Sequence, residues 1–247
     1  MSPLLQINPN LDRAALAERF ELEGRVQVPD VLTNESAEAL RQLLQQQTPW
    51  LLTWCAGADG ARNIGGEQLA AMTREESVAI ERKIAEAVLR CDFCYIYSNY
   101  PLNEAYEQGW NPGSLHEQLT EDLLSEPFAQ LLRDITGQSE IVGADGYATH
   151  YGPGHFLSRH TDEAADWRRI AAYVLNLTFV GWQPEYGGYL TFYDEQGDVD
   201  LAIRPKFNSL ILFSVPQVHG VTRVAPFAPF GRAAISGWAR DELRPAR

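Results

Sequence analysis

Apolar residues recur mostly at helical spacing through about the first 139 positions, and beyond residue 140 they fall into short runs divided by turn residues. Residues 25–31 are an early exception, because their alternation puts Val26 and Val28 on one face of a predicted strand. Thr33 then has the position of an N-cap for a helix to about Gln47, with Ala37, Leu40, Leu43 and Leu44 as its apolar stripe. Thr73 and Glu76 have capping-box spacing, and Ile80, Ile84, Ala87 and Val88 carry that helix to about Arg90. Ser114 and Glu117 repeat the box ahead of Leu115, Leu119 and Leu123. Pro127 suits the first turn of the next helix and Gly137 its stop.

Eight short strands are predicted after that, at 141–151, 157–162, 170–180, 189–193, 200–203, 209–214, 219–224 and 233–240. Turn chemistry separates them: the Gly-Pro-Gly at 152–154, the paired Gly187 and Gly188, Gly197, Pro216 and the proline-rich stretch 225–231. So many short strands at close spacing predict a mainly β sandwich, barrel or jelly roll, with supporting helices on the outside of one sheet. One domain over 1–247 is expected, in which 1–139 give a strand and a helical buttress and 140–247 the β core.

Charge and cysteine usage narrow the role. A net charge of −13 argues against a nucleic-acid binder. The acidity either favours a basic partner or serves solubility, and solubility is the commoner reason. No apolar run is long enough to cross a membrane, and the first residues lack the basic region and apolar core of a signal peptide. A cytoplasmic protein with no membrane or nucleic-acid partner is expected. Cys91 and Cys94 form a C-x-x-C pair without a second pair to complete a zinc site. Phe93, Tyr95 and Tyr97 read as a strand entering a core, so both thiols are expected to be buried and inert.

The histidines carry the chemistry. His160 and Asp162 stand two residues apart on a predicted strand, which sends both side chains to one face. His219 begins another predicted strand near the end of the β region, and a barrel can bring the two strands together. Two imidazoles and a carboxylate form the facial triad of non-haem iron(II) oxygenases, with positions left for a 2-oxo acid and dioxygen. A lone H-x-D is a weak signal. Arg232 strengthens it, since period two puts Arg232, Ala234, Ser236 and Trp238 on one face of the last strand. An inward arginine needs an anion, and the distal carboxylate of 2-oxoglutarate is one that a guanidinium grips well. An arginine paired with a protein carboxylate, or exposed at the strand mouth, is the competing reading. The Tyr151 hydroxyl either donates to the same co-substrate or caps the sheet. His150 and His155 flank a glycine turn and read as non-ligands, with a place near the substrate entrance open for His155. The loop 163–169, with Trp167, is a candidate lid or simply packing over the barrel rim.

Laid end to end, residues 147–240 resemble the prolyl hydroxylase-like branch of the 2-oxoglutarate and iron(II)-dependent dioxygenases. The matching features are Tyr151-Gly-Pro-Gly154, His160-Thr-Asp162, Tyr173-Val-Leu-Asn176, Gly187-Gly-Tyr-Leu-Thr-Phe192, Pro216-Gln-Val-His219 and Arg232-Ala-Ala-Ile-Ser-Gly-Trp238, in that order. The resemblance implies a double-stranded β-helix (jelly-roll, cupin-like) fold and iron(II) bound by His160, Asp162 and His219. It implies Arg232 on the 2-oxoglutarate C5 carboxylate, assisted by Tyr151 and Ser236, with Arg223 as the alternative cation. The intact Asp162 disfavours the halogenase variation. The expected activity is hydroxylation of a prolyl residue of a protein or peptide, using dioxygen and releasing succinate and CO2, with ascorbate a candidate auxiliary reductant. Hydroxylation of a free amino acid or small metabolite is the second reading. A non-catalytic cupin-like metal-binding module is the third, and it leaves Arg232 without a purpose.

Overall fold

The computed structural model describes residues 3–163, 168–178 and 181–242. Helix α1 (Arg13–Glu23) leads into strand β1 (Arg25–Pro29), then α2 (Asn34–Gln46), the hairpin β2 (Leu51–Ala56) and β3 (Ala61–Ile64), α3 (Gly66–Ala71), α4 (Arg74–Leu89) and β4 (Cys94–Tyr100). Three helices follow: α5 (Leu102–Glu107), α6 (Leu115–Leu123) and α7 (Glu126–Thr136). The remaining strands are β5 (Gly143–Ala144), β6 (Tyr147–Tyr151), β7 (Phe156–His160), β8 (Arg169–Asn176), β9 (Leu190–Tyr193), β10 (Val199–Ile203), β11 (Ser209–Ser214), β12 (His219–Val221) and β13 (Arg232–Arg240).

The strands pair antiparallel in the order β1-β11-β8-β13-β6-β4-β7-β12-β9-β10. Strand β4 joins two layers, because Ser98–Tyr100 pair with β6 while Tyr95 and Ile96 pair with β7. The far ends of this path approach each other, where Arg25 of β1 ion-pairs with Asp200 of β10 and its guanidinium lies 4.8 Å from the Phe192 ring. The result is the mainly β jelly-roll core with helical support that the pattern predicts.

Alternation along the central strands explains why helices cover one face only. Tyr173 and Leu175 of β8, Leu210 and Leu212 of β11, and Ala233 and Ile235 of β13 join the large cluster that buries Leu40 of α2, Leu119 of α6 and Leu132 of α7. Their neighbours Ala172, Val174, Ile211, Phe213 and Ala234 join the cluster inside the barrel. Both faces of these strands are therefore dry. A third cluster packs Ile84 and Ala87 of α4 on Trp54 and Leu52 of β2.

The predicted caps form. Thr33 Oγ accepts from Ser36 N, and Thr73 with Glu76 makes a full capping box. Pro127 sits in the first turn of α7 and Gly137 ends it in the left-handed region. At α6 the Ser114 hydroxyl caps Glu117 N, while the Glu117 carboxylate reaches Gly113 N instead of closing the box.

Other expectations shift. Helix α1 and the β2–β3 hairpin go unpredicted: α1 buries only Phe20, β3 is largely exposed, and β2 is buried without alternating. The strand expected over 141–151 breaks at Asp145, whose carboxylate accepts from Trp238 N and from Arg240, while Gly146 N donates to Asn103. Gly237 fits against this corner only because it lacks a side chain, since a Cβ there would lie 1.9 Å from the Asp145 carbonyl oxygen. Cys94 is buried, but Cys91 is exposed at the residue that turns the chain out of α4. The end of the strand expected over 170–180, and the loop bearing Trp167, lie partly outside the described residues.

The Asp145–Arg240 pair locks the last strand against β5, and both side chains are buried. Asp145→Ala leaves a buried guanidinium uncompensated and should destabilise the protein by about 3–5 kcal/mol. Urea unfolding checks this; a change within about 0.5 kcal/mol would mean that the pair contributes nothing to holding β13.

Candidate active site

Strand pairing builds the site. His160 ends β7, His219 begins β12, and the two are direct register partners, with ring centroids 4.3 Å apart. Asp162 stands two residues past the end of β7 and not on the strand, as the period-two reading expects. The chain has already left β12 there, and Arg169 at the head of β8 secures the turn by donating to the Asp162 carbonyl at 2.9 Å. The turn keeps the carboxylate beside the imidazoles: His160 Nε2 lies 3.4 Å from Oδ1, and His219 Nε2 lies 3.4 Å from Oδ2. One donor atom from each of the three falls within 4.8 Å of the others.

The outer ring nitrogens settle which atoms face inward. His160 Nδ1 lies 3.0 Å from the Ser158 carbonyl, and His219 Nδ1 lies 2.9 Å from that of Gln217. A carbonyl can only accept, so each Nδ1 carries hydrogen, and Nε2 of each ring is the atom on the Asp162 side. Burial, reinforced by the neighbouring His160, lowers the His219 imidazole and keeps it neutral. Burial pulls the Asp162 carboxyl upward, but the imidazoles of His160 and His219 outweigh it and hold the acid below its usual range. Two ring nitrogens this close to a carboxylate call for positive charge among them, from a proton or a metal ion. That donor set, nitrogen and oxygen with three ligands on one side, suits a divalent transition metal.

The triad opens onto a cavity of about 360 Å³. Arg232 enters it from β13 and is 2 % exposed. Its Nη1 donates to the Gly188 carbonyl at 3.1 Å, its Nε has no acceptor, and no carboxylate pairs with it among the described residues. Burial lowers its pKa to about 10, so it stays charged at neutral pH. Tyr151 is its register partner on β6, and the guanidinium lies 5.5 Å from that ring. Burial pushes the Tyr151 phenol upward, which keeps it a hydrogen donor. Ser236 and Trp238 line the same wall, as their spacing from Arg232 predicts.

Arg223 lies elsewhere. It is exposed, donates to the Gly154 carbonyl and stacks over Phe156 at 4.3 Å, which removes it as a rival to Arg232. His155 Nδ1 accepts from Gly152 N and belongs to the glycine turn, and His150 packs against Trp50.

Sequence reading misses the opposite wall. Tyr95, Tyr97 and Asn99 of β4 and Thr53 of β2 line the cavity, with Asn63 of β3 beyond them. Tyr97 stacks on Tyr151 at 4.8 Å and Phe93 lies 5.5 Å from His160. The alternation of tyrosine with smaller residues over 94–100 carries this signal. The role of Arg169, whose guanidinium lies 3.7 Å over Trp238, leaves no such trace.

Residues 146–240 match the family model of the 2OG-Fe(II) oxygenase superfamily. No curated protein matches the chain in sequence. Among solved structures, the chain is similar to a prolyl-4-hydroxylase from Pseudomonas putida at 21% identity and TM-score 0.56, over 92% of this chain and 98% of that one. It is also similar to a 2OG-Fe(II) oxygenase-family oxidoreductase from Burkholderia pseudomallei at 13% identity and TM-score 0.59, over 98% of each. A third neighbour is a Trichoplax adhaerens prolyl hydroxylase in complex with a hypoxia inducible factor peptide fragment, at 18% identity and TM-score 0.58, over 93% of this chain and 89% of that one. At these identities the likeness is one of fold.

The geometry predicts that Asp162→Ala will weaken divalent-metal binding by at least about 100-fold, since it removes the only anionic member of the set. Anaerobic calorimetry with iron(II) measures this. An affinity within about threefold of wild type would remove Asp162 from the metal site.

Proposed function

We propose that the chain is a member of the 2OG-Fe(II) oxygenase superfamily, whose family model matches residues 146–240, and that it hydroxylates a prolyl residue within a protein or peptide. In this reading residues 1–247 work as one catalytic unit. His160, Asp162 and His219 hold iron(II), and Arg232 with Tyr151 and Ser236 receives the distal carboxylate of 2-oxoglutarate. The single observation that carries the co-substrate is the buried Arg232, charged and unmatched by any carboxylate among the described residues. A guanidinium so placed awaits an anion.

When bound, iron(II) and 2-oxoglutarate supply the oxidising chemistry: dioxygen and 2-oxoglutarate are consumed, succinate and CO2 leave, and one oxygen enters a substrate C–H bond. The chain's own residues bind, orient and shield. The Ser158 and Gln217 carbonyls fix both imidazole rings, and Arg169 fixes the backbone of Asp162. Phe213 packs on His219 at 4.7 Å and, with Leu190 and Val221, forms the apolar side that keeps water from the reacting atoms.

The lining supports a peptide over a free amino acid. Apart from the triad and Arg232, no described lining residue is charged, so an ammonium and a carboxylate would find no partners there. Tyr95, Tyr97, Tyr147 and Trp238 instead offer ring faces to an uncharged pyrrolidine, and Asn63, Thr53 and Asn99 offer hydrogen bonds to backbone. The peptide in the Trichoplax neighbour agrees with this. Among the described residues no helix is long and apolar enough to cross a membrane, and a cytoplasmic location remains part of this proposal. Ascorbate would serve as an external reductant.

With iron(II), 2-oxoglutarate and oxygen, a library of proline-containing peptides should give succinate and a product richer by one oxygen on proline, while free proline gives neither. Turnover of free proline but of no peptide would overturn the substrate assignment. Arg232→Ala should weaken 2-oxoglutarate on the order of 100-fold, because it removes the buried charge that pairs with the ligand. Binding needs the protonated guanidinium, so wild-type affinity should stay level with rising pH and fall as pH passes about 10. A fall already complete at about pH 8 would point to another group.

A further inference from the structure

Asn176 ends β8 fully buried, and neither its Oδ1 nor its Nδ2 has a hydrogen-bond partner among the described residues. Native interiors rarely tolerate an amide with both ends unsatisfied, and such a group asks what it is meant to hold. Its direction follows from the strand. Tyr173 and Leu175 belong to the helix-facing cluster, while Ala172 and Val174 belong to the cluster inside the barrel. Period two therefore turns Asn176 inward.

Register then places it. On one side Asn176 pairs with Ser209, whose hydroxyl is already given to the Lys206 carbonyl. On the other side it pairs with Ala234 of β13, two residues beyond Arg232 and on the same face. Diagonal neighbours across antiparallel strands lie about 7–8 Å apart at Cα, within reach of one small ligand shared by their side chains. Tyr151 flanks Arg232 from the other side as its register partner on β6. Thus three adjacent strands offer a phenol, a guanidinium and an amide to the same end of the barrel interior. Arg232 Nε is as unpartnered as Asn176.

We propose that Asn176 is a specificity-determining residue for the co-substrate: its Nδ2–H donates to the distal carboxylate that Arg232 Nε–H also binds. This rests on the 2-oxoglutarate reading given above. The guanidinium supplies charge, and the short, rigid amide supplies position, since it reaches only a carboxylate at the depth set by the five-carbon acid. A single anion satisfies both donors.

The test uses the full chain loaded with manganese(II), so that binding is read without turnover. Calorimetry compares 2-oxoglutarate with 2-oxopentanoate, which lacks the distal carboxylate. Asn176→Leu should weaken 2-oxoglutarate about tenfold or more, change 2-oxopentanoate less than about twofold, and leave manganese affinity unchanged. Asn176→Asp should abolish 2-oxoglutarate binding by putting a carboxylate beside Arg232, with manganese still bound. Should Asn176→Leu not fold, Asn176→Ser serves, with the same loss of preference expected. If the folded variant binds both acids as wild type does, or loses affinity for both alike, Asn176 is only a core amide and the proposal is overturned. If wild type binds manganese but not 2-oxoglutarate, the co-substrate reading falls, and this proposal with it.

Discussion

Two imidazole Nε2 atoms each lie 3.4 Å from a carboxylate oxygen of Asp162, and the arrangement calls for positive charge among the three, as a proton or a metal ion. Several elements of the barrel fix this arrangement. The β7–β12 register sets the histidines opposite one another, backbone carbonyls fix their rings, and Arg169 holds the turn that returns Asp162 to them. Burial of Asp162 and His219 removes the water that would otherwise screen the charges there.

The same logic of unmet charge recurs about the cavity. Arg240 is buried too, but Asp145 answers it, and the pair is structural. Among the described residues, buried Arg232 has a carbonyl and an aromatic face for company but no carboxylate. That contrast, on one strand, is what the proposed co-substrate role of Arg232 rests on.

Much of this was legible in the sequence where a local rule governs. The caps at Thr33 and Thr73, the α7 termini at Pro127 and Gly137, and the inward set Arg232, Ser236 and Trp238 all follow from short-range geometry. His160 and His219 were legible as members of one motif order, although their direct pairing is a tertiary fact. Asp162 was assigned to the right cluster for an incomplete reason, since a turn and not strand alternation brings it there. What stayed hidden lacks a local signature. Strand β2 is buried on both faces and β3 on neither for most of its length, so neither alternates. Strand β4 does alternate, but nothing near it in the chain tells that it runs between β6 and β7 to form the second wall of the site. Arg169 acts only through contacts with Asp162 and Trp238 that folding creates.

The most direct measurement is an anaerobic optical titration of the wild-type chain with iron(II) and then 2-oxoglutarate. A weak visible charge-transfer band should appear only when both are present, be lost in Asp162→Ala, and in Arg232→Ala require far more 2-oxoglutarate. Iron binding without any such band at saturating 2-oxoglutarate would contradict the account.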